Sequence, residues 1–191
     1  EKFVYNGTYQ SLAAMNDNPK ILTFQSCSKT YAMTGWRIGY TIGDSAVVSA
    51  MSKLQGQSTS CPNSIAQFAA IEALIGSQDS VDKMSATFLK RRDLILSQLA
   101  NIEYVTCDIP QGAFYVFPDF SHFIGMHDDE GNKIHNISDL CFYMLDQTGV
   151  VTVSGDSFGA SNNIRLSYAT SEQIIIEATS LIKKVLSKLH F

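Results

Sequence analysis

Two serines, a lysine and an arginine form the group of side chains in this chain that is most suited to chemistry. Ser26 and Ser28 lie just before Lys29, and Arg37 follows eight residues later. The short apolar run before them contains a β-branched residue, which predicts a buried strand over 20–25. Lys29 then lies where a strand gives way to a loop, and in open α/β sheets ligands bind at that place.

These side chains can bind a phosphate and leave one amine for reaction. Serine hydroxyls donate hydrogen bonds to phosphate oxygens, and the planar guanidinium of Arg37 matches a phosphate with two parallel hydrogen bonds. An amine beside a phosphate pocket, here that of Lys29, suits a Schiff base with pyridoxal phosphate. Each residue also has an ordinary interpretation, as a solvated lysine, turn-forming serines and a structural ion-pair partner. Their combination, with Gly35 and Gly39 on either side of the arginine, favours the chemical interpretation.

Four segments of the chain resemble, in the same order, motifs of the class I aminotransferases of fold type I, which use pyridoxal phosphate. The segments are residues 26–40, 57–67, 110–118 and 164–169. The third is similar to the small-domain strand that faces the active site, and the fourth to the strand with the substrate-carboxylate arginine. The resemblance is closest to the bacterial-type aspartate aminotransferase subgroup, some members of which also accept prephenate.

The resemblance implies an α/β fold in two parts. Residues 1–84 are expected to form the C-terminal part of the large, mostly parallel-sheet domain that binds the cofactor. Residues 85–191 are expected to form the small C-terminal α+β domain. The alternation of strands and helices before residue 80, and the mixed elements after it, favour the same division. By the same resemblance, roughly the first half of an aminotransferase is absent from this chain.

The resemblance also implies which residues hold pyridoxal 5'-phosphate. Lys29 is the expected catalytic residue, because it would carry the cofactor as a Schiff base and then move the proton of the substrate's α-carbon. Ser26, Ser28 and Arg37 are expected to bind the cofactor, mainly through its phosphate. A free lysine has a pKa of about 10.4, so such a site must disfavour the ammonium form.

For the substrate, the resemblance implies that Arg165 binds the α-carboxylate and that Phe114 and Tyr115 form walls of the pocket. No arginine lies near Gly56, where another aspartate aminotransferase subgroup has one for the side-chain carboxylate. Specificity for aspartate or glutamate therefore rests on overall likeness. Cys61 stands where the family commonly has asparagine, which predicts a weaker cap on the following helix.

The implied function is transamination between an amino acid, aspartate or glutamate, and a 2-oxo acid by a cytoplasmic homodimer. These 191 residues alone are expected to be inactive. A second hypothesis is an aminotransferase-like effector domain of a transcription regulator, which binds pyridoxal phosphate and retains the lysine. Arg165 and the spacing from Ser26 to Arg37 favour the enzyme.

Composition narrows the possible partners. The net charge of −4 comes from 14 basic and 18 acidic residues, which gives no support for nucleic-acid binding. No apolar run reaches about 18 residues, so no membrane span is expected. The basic run Lys90, Arg91 and Arg92 is interpreted as a solvated helix face. The cysteines and histidines lack the spacing of metal ligands, so no metal site is expected, and Cys27 is interpreted as packing.

Hydrophobic periodicity and turn residues predict the order of elements. Pro62 is predicted as the first residue of a helix, Ser138 as a helix cap, Gly149 as a helix end, and Thr170 with Gln173 as a capping box. The predicted elements are strands over 20–25 and 36–42, helices over 44–55, 62–74 and 79–100, strands near 103–107 and 113–118, a loop over 121–136, a helix over 139–147, strands over 150–153 and 163–167, and a final helix.

Overall fold

The structure, a computed structural model, describes residues 2–191. The described residues divide into two compact units, one up to Ser85 and the other from Ala86 to Phe191. Helix α5, Asp79–Leu99, contributes residues to both units and matches the helix predicted over 79–100. The assignment of the two parts to a large and a small domain stays a prediction. Within the described residues no helix is both long and apolar enough to cross a membrane.

The first unit is built from short elements around one strand pair. Strands β1 (Thr23–Ser26) and β2 (Gly39–Ile42) pair antiparallel, with Ser26 opposite Gly39. The alternation of strands and helices did not predict this antiparallel pair. The connection between the two strands is short enough for the chain to reverse directly. The elements in chain order are α1 Leu12–Met15, β1 Thr23–Ser26, α2 Cys27–Thr30, a 3-10 turn Thr34–Trp36, β2 Gly39–Ile42, α3 Ser45–Ser58 and α4 Ser64–Ile75.

Local details around Lys29 and Arg37 differ from the prediction. Lys29 lies in the single helical turn α2 and not in a loop. The second strand begins at Gly39 and not at residue 36, because Trp36 ends the 3-10 turn and Arg37 has the left-handed φ of 52°. A left-handed residue interrupts the extended backbone that a strand requires.

The helix caps of the first unit are partly as predicted. Asp44 caps α3, since its Oδ1 accepts the Ala46 N–H at 2.9 Å. Helix α4 begins after Asn63, whose Oδ1 accepts the Ile65 N–H at 2.9 Å, so the prediction that Pro62 is the first helical residue is wrong. The prediction that Cys61 weakens this cap is also wrong, because Asn63 supplies it.

The first unit buries little of its apolar surface. Cys27, Met33 and Ala70 form a small buried cluster, and Ile38 packs against it. Many large apolar side chains of α3 and α4 remain exposed, and Phe68 is 76% exposed. This exposed surface exceeds the scattered apolar residues that a folded surface usually carries.

The second unit packs helices against a small antiparallel sheet. Its three strands are β3 (Tyr115–Val116), β4 (Val153–Ser154) and β5 (Ile164–Ser167). Their order in the sheet is β3-β5-β4, with Tyr115 opposite Ser167 and Val153 opposite Arg165. The strand predicted near 103–107 is reduced to one bridge between Thr106 and Asp119. Besides the end of α5, the elements are β3 Tyr115–Val116, a 3-10 turn Ser121–Phe123, α6 Ile137–Thr148, β4 Val153–Ser154, a 3-10 turn Gly155–Phe158, β5 Ile164–Ser167 and α7 Glu172–Leu186.

Two of the three cap predictions in this unit are wrong by one or two residues. Asn136 caps α6 by accepting the Asp139 N–H at 2.9 Å, and Ser138 lies inside the helix. Ser171 and not Thr170 caps α7. Gly149 ends α6 in the left-handed conformation with φ 74°, as predicted.

The basic run of α5 is only partly a solvated face. Arg92 is buried, with 7% of its surface exposed, which contradicts the prediction for this residue. Its Nε and Nη2 donate to Asp93 Oδ1 at 2.9 and 2.7 Å, and its Nη1 donates to the Pro110 carbonyl at 3.2 Å. Because these bonds satisfy the guanidinium, burial of the charge is tolerated. Lys90 is exposed, as predicted.

The segment predicted as a loop over 121–136 contains a turn held by Asp128. The Asp128 carboxylate accepts the Glu130 and Asn132 backbone N–H groups at 3.0 and 2.9 Å, and the Asn132 side-chain amide at 2.9 Å. The bond from the Asn132 amide is the largest cause of a lowered pKa, to about 2, for this carboxyl. Hydrogen bonds favour the charged form of the acid and so order the turn.

Candidate active site

The turn α2 places two hydroxyls beside the candidate lysine. Ser26 caps this turn, since its Oγ accepts the Ser28 N–H at 3.1 Å, and the two serine Oγ atoms lie 2.9 Å apart. Lys29 follows directly and is exposed. Among residues 2–191 the structure records no hydrogen-bond or ion-pair partner for the Lys29 amine. The amine is therefore available to a ligand.

The strand pairing brings the backbone of Arg37 to the start of the same turn. The Cys27 N–H donates to the Ile38 carbonyl at 3.2 Å, so the pairing continues past the ends of the strands towards Arg37. Gly39 permits this approach, because a Cβ there would lie 2.5 Å from the Gln25 carbonyl oxygen. The serines, Lys29 and Arg37 therefore leave the sheet at one end.

Arg37 has an unusual backbone and an accessible guanidinium. Its φ of 52° is costly for a residue with a Cβ, and such strain is typical of functional positions. Its Nη1 donates to the Thr34 carbonyl at 3.0 Å. Within the described part of the chain, no acidic partner is recorded for this guanidinium, so its other N–H groups can serve a ligand.

Cys27 is a packing residue, as predicted. Its side chain is fully buried against Met33 and Ala70, whereas Ser26 beside it is exposed. Burial raises the pKa of the Cys27 thiol. A protonated thiol turned into the core does not compete with the Lys29 amine as a nucleophile.

A groove of about 870 Å³ opens beside Arg37 within the first unit. Its lining includes Trp36, Arg37, Gln55, Cys61 and Asn63, but not Lys29. The volume suits a small organic ligand. Cys61 lies in the lining of this groove and does not cap α4.

In the second unit, Arg165 lies over two aromatic rings. Strand β5 alternates as predicted, with Ile164 and Leu166 buried and Arg165 on the other face. The Arg165 Cζ lies 4.7 Å from the centre of the Tyr115 ring and 4.7 Å from the centre of the Phe158 ring. No acidic partner of Arg165 is recorded in the described residues, so its N–H groups are available to a carboxylate.

The two predicted wall residues of the substrate pocket have different surroundings. Tyr115 contacts Arg165, whereas Phe114 packs against Phe88 with ring centres 5.4 Å apart. Phe114 and Tyr115 also contact each other, with ring centres 4.6 Å apart. The structure thus brings one of the two directly to the arginine, and their role as pocket walls stays a prediction.

Sequence reasoning missed Phe158. It ends the 3-10 turn Gly155–Phe158, and the following Gly159 has the left-handed φ of 74°. The two glycines around this residue signal a tight turn that could expose an aromatic side chain. Nothing local in the sequence links this turn to Arg165.

The side chains around Lys29 fit a phosphate ester that carries a reactive carbonyl group. Two hydroxyls and a guanidinium are suitable donors for phosphate oxygens, and the unpartnered amine is a suitable nucleophile for a carbonyl. Pyridoxal 5'-phosphate has both groups.

Comparison with known proteins decides the family. The sequence matches the model of the family "Aminotransferase class I and II" over residues 1–180. The chain belongs to this family. The family predicted from the four motifs is thereby confirmed.

Relatives of this aminotransferase chain include an aspartate/prephenate aminotransferase and an aspartate aminotransferase. It is 46% identical over 164 residues to the aspartate/prephenate aminotransferase of Cereibacter sphaeroides, covering 86% of this chain and 41% of the relative. It is 41% identical over 170 residues to the aspartate aminotransferase of Rhizobium meliloti, covering 89% of this chain and 42% of the relative. The chain thus spans less than half the length of these relatives.

Solved structures confirm the fold class. The crystal structure of the R. meliloti aspartate aminotransferase matches with a TM-score of 0.93 at 38% identity, covering 99% of this chain and 48% of that one. The Thermus thermophilus aspartate aminotransferase with maleate matches with a TM-score of 0.86 at 34% identity, covering 97% of this chain and 46% of that one. The aminotransferase chain therefore has the fold of the corresponding part of a fold-type-I aminotransferase.

Proposed function

We propose that the protein containing these residues is an aminotransferase that uses pyridoxal 5'-phosphate to move an amino group between an amino acid and a 2-oxo acid. One observation carries the proposal: the exposed, unpartnered amine of Lys29 follows two paired serine hydroxyls, at the end of the sheet where Arg37 lies. Membership of the aminotransferase family supports it.

The first unit supplies the groups that bind the cofactor. The hydroxyls of Ser26 and Ser28 would donate hydrogen bonds to the phosphate, and Arg37 would add a charged, planar donor. Lys29 Nζ would be the group that holds the cofactor covalently and would accept the proton of the substrate's α-carbon. When bound, pyridoxal phosphate supplies the electron sink that makes this proton removable.

The second unit supplies the groups that bind the substrate. The fork of Arg165 binds the α-carboxylate in two parallel hydrogen bonds, whatever the side chain of the amino acid. Tyr115 and Phe114 form apolar walls. Aspartate, glutamate and prephenate with their 2-oxo or amino counterparts are the proposed substrates, because the relatives are named for aspartate and prephenate.

Turnover by the full-length protein tests the proposal. With pyridoxal phosphate, aspartate and a 2-oxo acid, the purified protein should form oxaloacetate at a rate proportional to enzyme concentration. An effector domain of a transcription regulator would bind the cofactor without turnover. Cofactor binding with no transfer from aspartate or glutamate to a 2-oxo acid, prephenate included, would therefore contradict the enzyme.

Replacing Arg37 by lysine should weaken cofactor binding. Lysine keeps the charge but loses the planar fork, so the binding free energy should fall by about 1–3 kcal/mol, or roughly 5- to 150-fold in Kd. A fluorescence titration of the full-length protein with pyridoxal phosphate measures this change. Thermal unfolding of the cofactor-free protein controls for misfolding. Unchanged affinity would mean that Arg37 has only a structural role.

Residues 1–191 alone should be inactive and should self-associate. The chain spans 41% of its C. sphaeroides relative, and catalysis requires the whole constellation of residues. The exposed apolar side chains of α3 and α4 favour association in water. Light scattering and a transaminase assay on the purified 191-residue chain check both statements. Turnover by a monodisperse monomer would contradict them.

The proposal includes a homodimer in the cytoplasm, as the resemblance to the family implies. The net charge of −4 supports the absence of nucleic acid and acidic membrane surfaces among the partners. Sedimentation of the full-length protein tests the dimer, and cell fractionation tests the location.

A further inference from the structure

We propose that Phe158 is a positioning residue that holds the guanidinium of Arg165 in place for the carboxylate of the substrate. The inference rests on the proposed function, because it concerns the same substrate-binding arginine. Tyr115 and Phe158 are called the aromatic bracket below. Neither ring needs to touch the reacting atoms for the bracket to act.

The contact distances support a bracket on Arg165. Its Cζ lies 4.7 Å from both ring centres, well inside the range of about 6 Å over which a ring attracts a cation. A free arginine side chain loses about 2 kcal/mol of rotamer entropy when a ligand fixes it. Two rings that restrict the guanidinium beforehand reduce this cost. The N–H edge of the guanidinium remains available, since no acidic partner is recorded for it in residues 2–191.

A dense set of hydrogen bonds holds the turn that carries Phe158. Ser154 Oγ accepts the Asp156 N–H at 3.2 Å and donates to Asp156 Oδ2 at 2.8 Å. Ser138 of α6 donates to the same Oδ2 at 3.0 Å, which ties the turn to a helix. Hydrogen bonds from β4 and from α6 therefore both hold this turn in place.

The backbone of the turn is fixed as well. The Gly155 N–H donates to the Asn163 carbonyl at 2.8 Å, and the Gly159 N–H donates to the Asp156 carbonyl at 3.2 Å. A Cβ at Gly155 would collide with the carbonyl oxygens of Ala160 and Asn163, so only glycine fits there. The chain entering and leaving Phe158 therefore has little freedom.

The ring itself has a second neighbour. Phe117 meets Phe158 edge to face, with ring centres 6.0 Å apart and an angle of 89° between the rings. Phe158 is nevertheless 50% exposed, so the hydrophobic burial that its ring gains is limited. A half-exposed ring on a turn fixed in this way contributes more to the orientation of Arg165 than to the core.

Loss of the Phe158 ring should weaken carboxylate binding and leave the chemical step almost unchanged. We expect KM to rise about 5- to 30-fold, which corresponds to roughly 1–2 kcal/mol for one cation–ring contact. The rise should be equal for aspartate and for a neutral amino acid, because Arg165 binds the group that they share. The kcat should change less than about threefold, since the proposed role of the ring is to hold the guanidinium and not to act on the reacting atoms.

The experiment compares four variants of the full-length protein. Phe158→Leu and Phe158→Met remove the ring, Phe158→Tyr keeps it, and Phe142→Leu removes a 70% exposed ring of the same unit that has no recorded contact with Arg165. Steady-state kinetics give KM and kcat, and calorimetry gives the Kd of maleate, a dicarboxylate that does not react. The expected result is a higher KM and maleate Kd in both ring-free variants, with wild-type values in Phe158→Tyr and Phe142→Leu.

Other results overturn the proposal. Unchanged maleate affinity in a folded ring-free variant would show that Phe158 does not act through Arg165, and so would an equal loss in Phe142→Leu. A maleate Kd in Phe158→Tyr as high as that of the ring-free variants would also overturn the proposal. Because calorimetry needs no turnover, a wild-type protein that binds maleate but transfers no amino group would contradict the proposed function alone. A wild-type protein that binds no maleate would contradict both.

Discussion

Replacing Lys29 by alanine in the full-length protein should lower kcat by about 10⁴-fold or more. The variant loses both the amine that attaches the cofactor and the base that accepts the α-proton, and no other amine is recorded on the turn α2. Ser26, Ser28 and Arg37 remain, so the phosphate should still bind non-covalently. Steady-state kinetics with aspartate and a 2-oxo acid measure the loss.

Lys53→Ala is the matched control for this prediction. Lys53 is also an exposed lysine of the first unit, but it lies on α3 and not on the turn α2. Its variant should retain wild-type activity. If Lys29→Ala kept more than about a hundredth of the wild-type kcat, another group would be moving the α-proton. The role assigned to Lys29 would then be wrong.

Replacing Arg165 by alanine should lower kcat/KM by about 10²-fold or more for every amino-acid substrate, a loss of roughly 2.7 kcal/mol or above. The α-carboxylate loses its two parallel hydrogen bonds, and the amino acid is no longer held with its α-hydrogen in a reactive orientation. Covalent attachment of the cofactor should be unchanged, because Lys29 belongs to the first unit. Kinetics with one dicarboxylic and one neutral substrate measure the effect.

The pattern across substrates decides what Arg165 binds. A variant that loses only dicarboxylic substrates and keeps full activity on neutral ones would show that Arg165 binds the side-chain carboxylate. Lys184→Ala, which removes an exposed cation of α7 in the same unit, is the control. It should leave kcat/KM unchanged for both the dicarboxylic and the neutral substrate. An equal loss in the control would point to a general electrostatic effect.

The parts of the fold that the sequence predicted are those that depend on a local alternation of buried and exposed residues. The alternation of Ile164, Arg165 and Leu166 placed the arginine on the opposite face from the core, and the structure has it there. For this strand a period of two residues is sufficient to assign the faces. Cys27 also points into the core between an exposed and a half-exposed serine, as predicted, but Cys27 and Ser28 belong to the helical turn α2 and not to a strand.

The errors concern choices among neighbouring residues and contacts between distant ones. The starts of three helices were predicted one or two residues away from the observed caps, which are Asn63, Asn136 and Ser171. Several polar side chains lie near each helix start, and residue type alone does not decide which of them is the cap. Burial of Arg92 depends on the carbonyl of Pro110, and the contact of Phe158 with Arg165 depends on strand pairing. Periodicity carries no information on such pairs.

Borohydride reduction followed by peptide mapping tests the central claim most directly. The full-length protein is loaded with pyridoxal phosphate and reduced, so that the bond to the lysine becomes permanent, and its peptides are sequenced by mass spectrometry. The account predicts the pyridoxyl group on Lys29, in the peptide that also contains Ser26 and Ser28. A pyridoxyl group on any other lysine, with Lys29 unmodified, would contradict it.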